Sequence, residues 1–231
     1  MVSTRRQLLS GTAFGAATLT APGAFAQALA TAVTGDGPYY PDKLPLDTDN
    51  DLLILNDGLT RAVGEIAHFT GRLFAENGAP VRNAFIEIWQ SDVNGSYIHT
   101  QGRNGKIDGN FQGYGRFLTD AEGRYYFRTI KPVPYTLQGQ FRAPHIHVAV
   151  SKAGKRIMAT QALVKGHEAN ARDLITRRFS DPKVLETLMV EYRPLPGSTL
   201  GELTGNFDIR LGVTARELDD GTIGGIGKAG A

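Results

Sequence analysis

The sequence predicts a mainly β protein, an antiparallel β-sandwich with long loops and one or two short helices. Three observations predict it. Apolar or alternating runs recur from Glu65 to Leu211, each bounded by Gly or Asx residues, which is how short strands joined by turns read. Glycine and proline are frequent, 28 and 11 of 231 residues, so turns are many. Helical spacing is confined to one stretch between His167 and Tyr192. With 41% hydrophobic and 21% charged residues, the chain suits one soluble domain with a sizeable core.

Taken in order, residues 1–26 read as an export signal. Arg5 and Arg6 precede a weakly apolar run rich in Gly, Ala and Thr, and Ala24-Phe25-Ala26 supplies a small-x-small cleavage site before Gln27. The arginine pair resembles a twin-arginine signal, which predicts a periplasmic protein. Residues 27–60 form an arm whose Pro and Asx residues favour extended segments and turns over helix, with aromatics folding back onto the domain. The sandwich proper occupies 61–215. Ile66 to Phe74 and Ala84 to Gln90 flank the turn Glu76-Asn77-Gly78, and Gly115 to Thr119 and Arg124 to Ile130 flank Asp120-Ala121-Glu122-Gly123, so both pairs are expected to be hairpins. A strand through His145 to Val150 and another from Arg156 to Leu163 follow. Asn170 to Arg178 is expected to form one short helix and Asp181-Pro182 to open a second, with a cap and a first-turn proline. Asn206 to Leu211 alternates as a closing strand, and the Gly-rich tail 216–231 is expected to be flexible.

Composition narrows the function. The formal charge of +2 includes Arg5 and Arg6, so the mature chain is close to neutral, without the basic excess that attracts nucleic acid or an anionic membrane. Small-molecule or protein partners are expected, and a homo-oligomer is compatible with this. With no cysteine, disulfides, zinc-cysteine sites, iron–sulfur clusters and thiol nucleophiles are excluded. Any metal must be held by His, Tyr, Asp or Glu. His145 and His147 stand at alternate positions of a strand, and such side chains share one face. They can present two imidazole nitrogens to one point, though two half-buried histidines bonded to backbone explain the pair equally well. Two tyrosines occupy unusual settings: Tyr97 follows the turn Asn94-Gly95-Ser96, and Tyr135 ends the proline-fixed run Lys131-Pro132-Val133-Pro134.

Together these residues match a family. The run Ile86 to Tyr97 resembles the first signature of the intradiol ring-cleavage dioxygenases, and Gly115 to Asp120, Tyr126 to Pro132 and Arg142-Ala143-Pro144-His145-Ile146-His147 resemble the rest in the same order. The resemblance covers roughly residues 37 to 165. It implies a β-sandwich with one mononuclear non-haem Fe(III) per chain, held by Tyr97, Tyr135, His145 and His147. It implies a catecholic substrate cleaved with O2, between its hydroxyl-bearing carbons, to a muconate-type diacid. Phenolate donors suit Fe(III) over Fe(II). In the family the residue matching Tyr135 leaves the metal as a proton acceptor, that matching Arg142 stabilises charge on the substrate ring, and that matching Gln161 shapes the O2 side of the pocket. Gln161 is equally a strand glutamine bonded to backbone. Tyr39 and Tyr40 match a segment that lines the substrate mouth. With the export signal removed, no room remains for the helical dimerisation domain of catechol- and hydroxyquinol-cleaving members, so the chain resembles the iron-bearing chain of the protocatechuate-cleaving branch. Thr136-Leu137-Gln138 departs from that branch, which has an aromatic residue shortly after the tyrosine, and export departs from a generally cytoplasmic activity.

Two rival readings stay open in the sequence. His99 with His145 and His147 would make a three-histidine zinc hydrolase or hydratase, and the sandwich pattern also resembles prealbumin-like modules that bind without catalysis. His68 and His167 read as structural or surface residues. The export reading predicts that the periplasmic protein begins at Gln27, and intact-mass measurement of that fraction checks it.

Overall fold

A computed structural model describes residues 29–55, 58–212, 216–217 and 223–224. The export segment 1–26 lies outside the described residues, as does the tail apart from the paired strands Arg216–Glu217 and Ile223–Gly224. Two five-stranded sheets make the sandwich. In chain order the strands are β1 (Ile66–Phe74), β2 (Phe85–Trp89), β3 (Tyr114–Leu118), β4 (Arg124–Ile130), β5 (Tyr135–Leu137), β6 (Gln140–Arg142), β7 (His145–Lys152), β8 (Lys155–Val164), β9 (Met189–Val190), β10 (Tyr192–Pro194), β11 (Leu203–Asn206) and β12 (Ile209–Arg210). One sheet runs β3-β2-β7-β8-β9. The other runs β10-β11-β1-β12, with β4 also on β1. Alternation sends Ile86, Ile88, Ile146, Val148 and Val150 of the first sheet inward against Phe69, Leu73 and Phe127 of the second, all fully buried.

Neither expected hairpin forms. β1 and β2 lie in opposite sheets, as do β3 and β4. The turns are where the sequence places them, with the Gly123 amide bonded to Asp120 O at 3.0 Å, but the chain steps across the sandwich there. Phe117 and Phe127, now on facing sheets, meet edge to face at 6.3 Å across the core. The two crossings satisfy each other's backbone, through Leu73 N to Gly123 O at 2.8 Å and Thr119 N to Ala84 O at 2.9 Å. The closing strand is also divided. β11 and β12 both pair parallel to β1, interrupted at Phe207, whose carbonyl accepts the buried Tyr125 hydroxyl. The expected helix over Asn170 to Arg178 is two short 3-10 turns, Glu168–Arg172 and Thr176–Arg178, separated where Asp173 turns inward. Asp181 caps α1 (Pro182–Glu186), with proline in its first turn.

On β7 the side chains opposite the core, His145, His147 and Ala149, are as buried as the inward ones. A second layer covers that outer face: the arm, the loop after β2, the β5–β6 hairpin and the 3-10 turns. Glu87, outward on β2, ties down the arm by accepting the hydroxyls of Tyr40 at 2.8 Å and Tyr114 at 2.6 Å and Arg156 Nη2 at 3.0 Å. Arg156 also bonds Asp36 at 2.8 Å. Burial raises the Glu87 pKa, but the two hydroxyls and Arg156 outweigh it and hold the carboxyl below its ordinary range. A depressed folded-state pKa stabilises the fold fully above the unfolded value of about 4.3, and that contribution is lost as pH falls through the folded value. Glu87→Gln is therefore expected to cost about 1–3 kcal/mol at pH 7. The deficit should shrink as pH falls below about 4, checked by urea midpoints at both pH values.

Candidate metal centre

The cluster is assembled by strand register and by two tight loops. Trp89 pairs with His147 and His147 with Gln161, so all three stand in one row across the sheet. The β5–β6 hairpin turns on Gln138 and Gly139, both at positive φ (52° and 76°), and sets Tyr135 opposite Arg142. Tyr97 is positioned by Asp92, whose buried carboxylate accepts the amides of Asn94 at 2.8 Å, Ser96 at 3.0 Å and Asp108 at 2.7 Å. Gly95, at φ 76°, lets this loop approach: a Cβ there would meet Tyr135 Cβ at 2.7 Å. Gly37 does the same for the arm, where a Cβ would lie 2.9 Å from His147 Cε1.

The four residues singled out as donors come together. Tyr97 Oη lies 3.1 Å from Tyr135 Oη and 3.3 Å from His145 Nε2, and the Nε2 atoms of His145 and His147 are 3.2 Å apart. The carbonyl of Ala143 accepts His145 Nδ1–H at 2.6 Å, which fixes the tautomer and leaves the Nε2 lone pair facing the cluster. Trp89 stacks on His147 at 4.9 Å and 9°, fixing its plane. Burial drives the pKa of Tyr97 well above the ordinary phenol value, helped by Tyr135, and raises that of Tyr135. Burial, then the neighbouring His145 and Arg142 charges, drives His147 well below the ordinary imidazole value, and burial and Arg142 lower His145. All four are thus neutral in this enclosure.

This donor set fits a trivalent cation. Metal–ligand bonds of about 2 Å place ligand atoms roughly 3 Å apart, the spacing seen here. Neutral imidazoles offer lone pairs, and phenols become hard oxygen donors when a Lewis acid displaces their protons. The three-histidine alternative is not formed. His99 is half-buried, accepts the Gln101 amide at 3.0 Å and packs against Tyr39. Among the described residues no three His, Cys, Asp or Glu side chains are placed to hold a metal. His68 bonds the Tyr126 hydroxyl at 2.8 Å, and His167 caps the first 3-10 turn.

Beside the cluster lies a cavity of about 190 Å³, lined by Tyr39, Tyr135, Arg142, Gln161, Ile175 and Arg178 among others. Its size is on the scale of the ~150 Å³ engineered cavity that takes up benzene. Tyr135 is the one of the four donors that lines it. Arg142 donates through Nε to Asp173 at 2.9 Å and through Nη2 to Gln161 Oε1. Gln161 is thus bonded to a side chain of the site rather than to backbone. Tyr39 and Tyr40 divide: Tyr39 packs on Tyr97 at 5.2 Å and lines the cavity, whereas Tyr40 turns to Glu87 and sits edge-on to Trp89 at 5.0 Å. Sequence reasoning missed Asp173, Trp89 and Glu87. Asp173 carried no signal, since an acidic residue in a polar, helix-spaced stretch reads as solvated.

Residues 35–212 match the profile of the family described as Dioxygenase. Over 162 residues the chain is 35% identical to the protocatechuate 3,4-dioxygenase beta chain of Burkholderia cepacia, covering 62% of this chain and 68% of that one. It is 33% identical over 147 residues to catechol 1,2-dioxygenase 2 of Acinetobacter lwoffii, covering 58% of this chain and half of that enzyme. The dioxygenase domain of a dioxygenase carbohydrate-binding protein fusion from Streptomyces sp. SirexAA-E superposes with a TM-score of 0.58 at 25% identity, covering 79% of this chain and 98% of that one. Fold and matches define a dioxygenase. The chain belongs to the intradiol ring-cleavage dioxygenase family.

Substitution tests the cluster. Tyr97→Phe, His145→Ala and His147→Ala are each expected to abolish retention of ferric iron, and His99→Ala to leave it intact, as read by metal analysis after reconstitution.

Proposed function

We propose that the chain binds one Fe(III) through Tyr97, Tyr135, His145 and His147 and cleaves a catechol bearing a negatively charged substituent, with protocatechuate the leading candidate. The ring bond between the two hydroxyl-bearing carbons breaks, both atoms of O2 are incorporated, and a muconate-type diacid leaves. The convergence of two phenols and two imidazoles carries this reading. Ferric iron, when bound, supplies Lewis acidity toward a chelating catecholate and draws electron density from the ring so that it reacts with O2.

The protein's own residues supply the rest. Tyr135, at the cavity wall, would be a phenolate with iron bound and could then take a proton from the entering catechol, a role that the enclosed Tyr97 is less suited to. Arg142 presents a fixed positive charge where negative charge develops on the ring, its plane held by Gln161 and Asp173. Among the described residues no carboxylate lines the cavity. Asp173 balances the Arg142 charge, and the exposed Arg178 leaves the cavity lining net positive, which favours an anionic ring. The similarity to a protocatechuate-cleaving chain supports the same substrate. Export to the periplasm by the segment ahead of Gln27 belongs to this proposal.

The iron-loaded protein is expected to show broad visible absorption from phenolate-to-iron charge transfer that shifts on anaerobic addition of protocatechuate. A colourless, iron-free protein would overturn the reading. Arg142→Ala should keep the iron and slow turnover about 100-fold. Arg178→Gln should lower the preference for protocatechuate over catechol by roughly five- to tenfold in kcat/KM.

A further inference from the structure

Asp173 sits between the two 3-10 turns, is wholly buried, and is joined to three parts of the site. Its Oδ2 accepts Arg142 Nε at 2.9 Å and the Ala143 amide at 2.8 Å, and its Oδ1 accepts the Ile175 amide at 2.8 Å. Each contact leads somewhere. Arg142 and Ile175 line the cavity on different elements, and Ala143 is the residue whose carbonyl holds His145 Nδ1. One carboxylate therefore fastens the segment after β8 to β6 and to the link that leads into the strand carrying the two histidines. A buried ion pair repays its desolvation poorly as a source of stability, so what this one supplies is geometry. Two of the three guanidinium nitrogens of Arg142 are taken, by Asp173 and Gln161, which leaves little freedom to turn.

We propose that Asp173 is the positioning residue of this site: it holds Arg142 in the orientation that stabilises charge on the substrate ring, and docks Ile175 as the facing wall. The proposal rests on the ring-cleaving role given to Arg142 above. Four N–H groups point at the Asp173 carboxylate, those of Arg142 Nε, Ala143, Ile175 and, at 3.4 Å, Thr176, and an ionised carboxylate accepts from all of them. Asparagine fills the same volume with a single oxygen acceptor, so at least one N–H would face an NH2 group.

The test uses the iron-loaded protein with protocatechuate. Asp173→Asn is expected to keep the iron content and the visible spectrum before substrate is added. Its kcat should fall about 10- to 100-fold, with KM changed less, because a misplaced charge costs the reaction more than the binding. In an Arg142→Ala background the same substitution should cost less than about threefold, since two residues acting through one interaction are not additive. Wild-type kcat in Asp173→Asn, or full additivity in the double variant, would overturn the proposal. A second measurement needs neither activity nor a variant: in the wild-type metal-free protein, the Ala143 and Ile175 amides and the Arg142 Nε–H should exchange with water as slowly as amides of β7. Exchange as fast as exposed loop amides would overturn the proposal whatever the kinetics. Wild-type protein that holds no iron and cleaves no catechol would overturn the proposed function instead, and the exchange rates would then show whether Asp173 fastens Arg142 in place.

Discussion

Two imidazoles and two phenols are enclosed where a charge on any of them is costly, and the rest of the structure depends on keeping them so. Water among Tyr97, Tyr135, His145 and His147 would solvate the ring nitrogens and the hydroxyls separately and remove what keeps all four turned to one point. The sandwich alone cannot provide this enclosure, since its core lies on the other face of β7. The arm, the Tyr97 loop, the β5–β6 hairpin and the 3-10 turns provide it; carboxylates hold three of them, Glu87 the arm, Asp92 the loop and Asp173 the turns, and a two-residue reversal holds the hairpin.

Those contacts share a form. Each is one carboxylate or one reversal of the chain serving several donors, which suits loops too short to carry apolar cores of their own. Glu87 binds three hydroxyls and a guanidinium, Asp92 three backbone amides, and Asp173 three amides and a guanidinium. An apolar substitute would fill the space without aiming anything, whereas an acceptor shared among fixed N–H groups sets direction as well as distance.

Much of this was legible in the residues. Strand positions follow from alternation, so β1 and β4 span the very runs read from sequence, and the row of Trp89, His147 and Gln161 follows from register once β7 is central. Strand pairing was not legible, because a Gly-Asx turn looks the same whether the chain returns beside itself or crosses to the opposite sheet, and the packing between the sheets, such as Phe117 on Phe127, is tertiary. Helical spacing from Asn170 to Arg178 misled for a related reason. The run has the right period, but burying Asp173 against Arg142 breaks it into two turns, and a local pattern carries no record of a partner 31 residues away. The four donors were legible only as an ordered set of motifs, since neither tyrosine alone differs from a packed aromatic.

Placing the chemistry on the outer face of β7 separates two kinds of change. Residues between the sheets, such as Ile88, Val148 and Phe127, can be exchanged for others of like volume without touching a cavity wall. Apart from Gln161 on β8, the cavity walls come from the arm, the hairpin and the turns, which can be lengthened or replaced without re-registering the central strands. Such a scaffold can drift in thermal tolerance and in ring preference along independent lines, so a lineage can acquire a new aromatic diet while its sandwich interior stays the same.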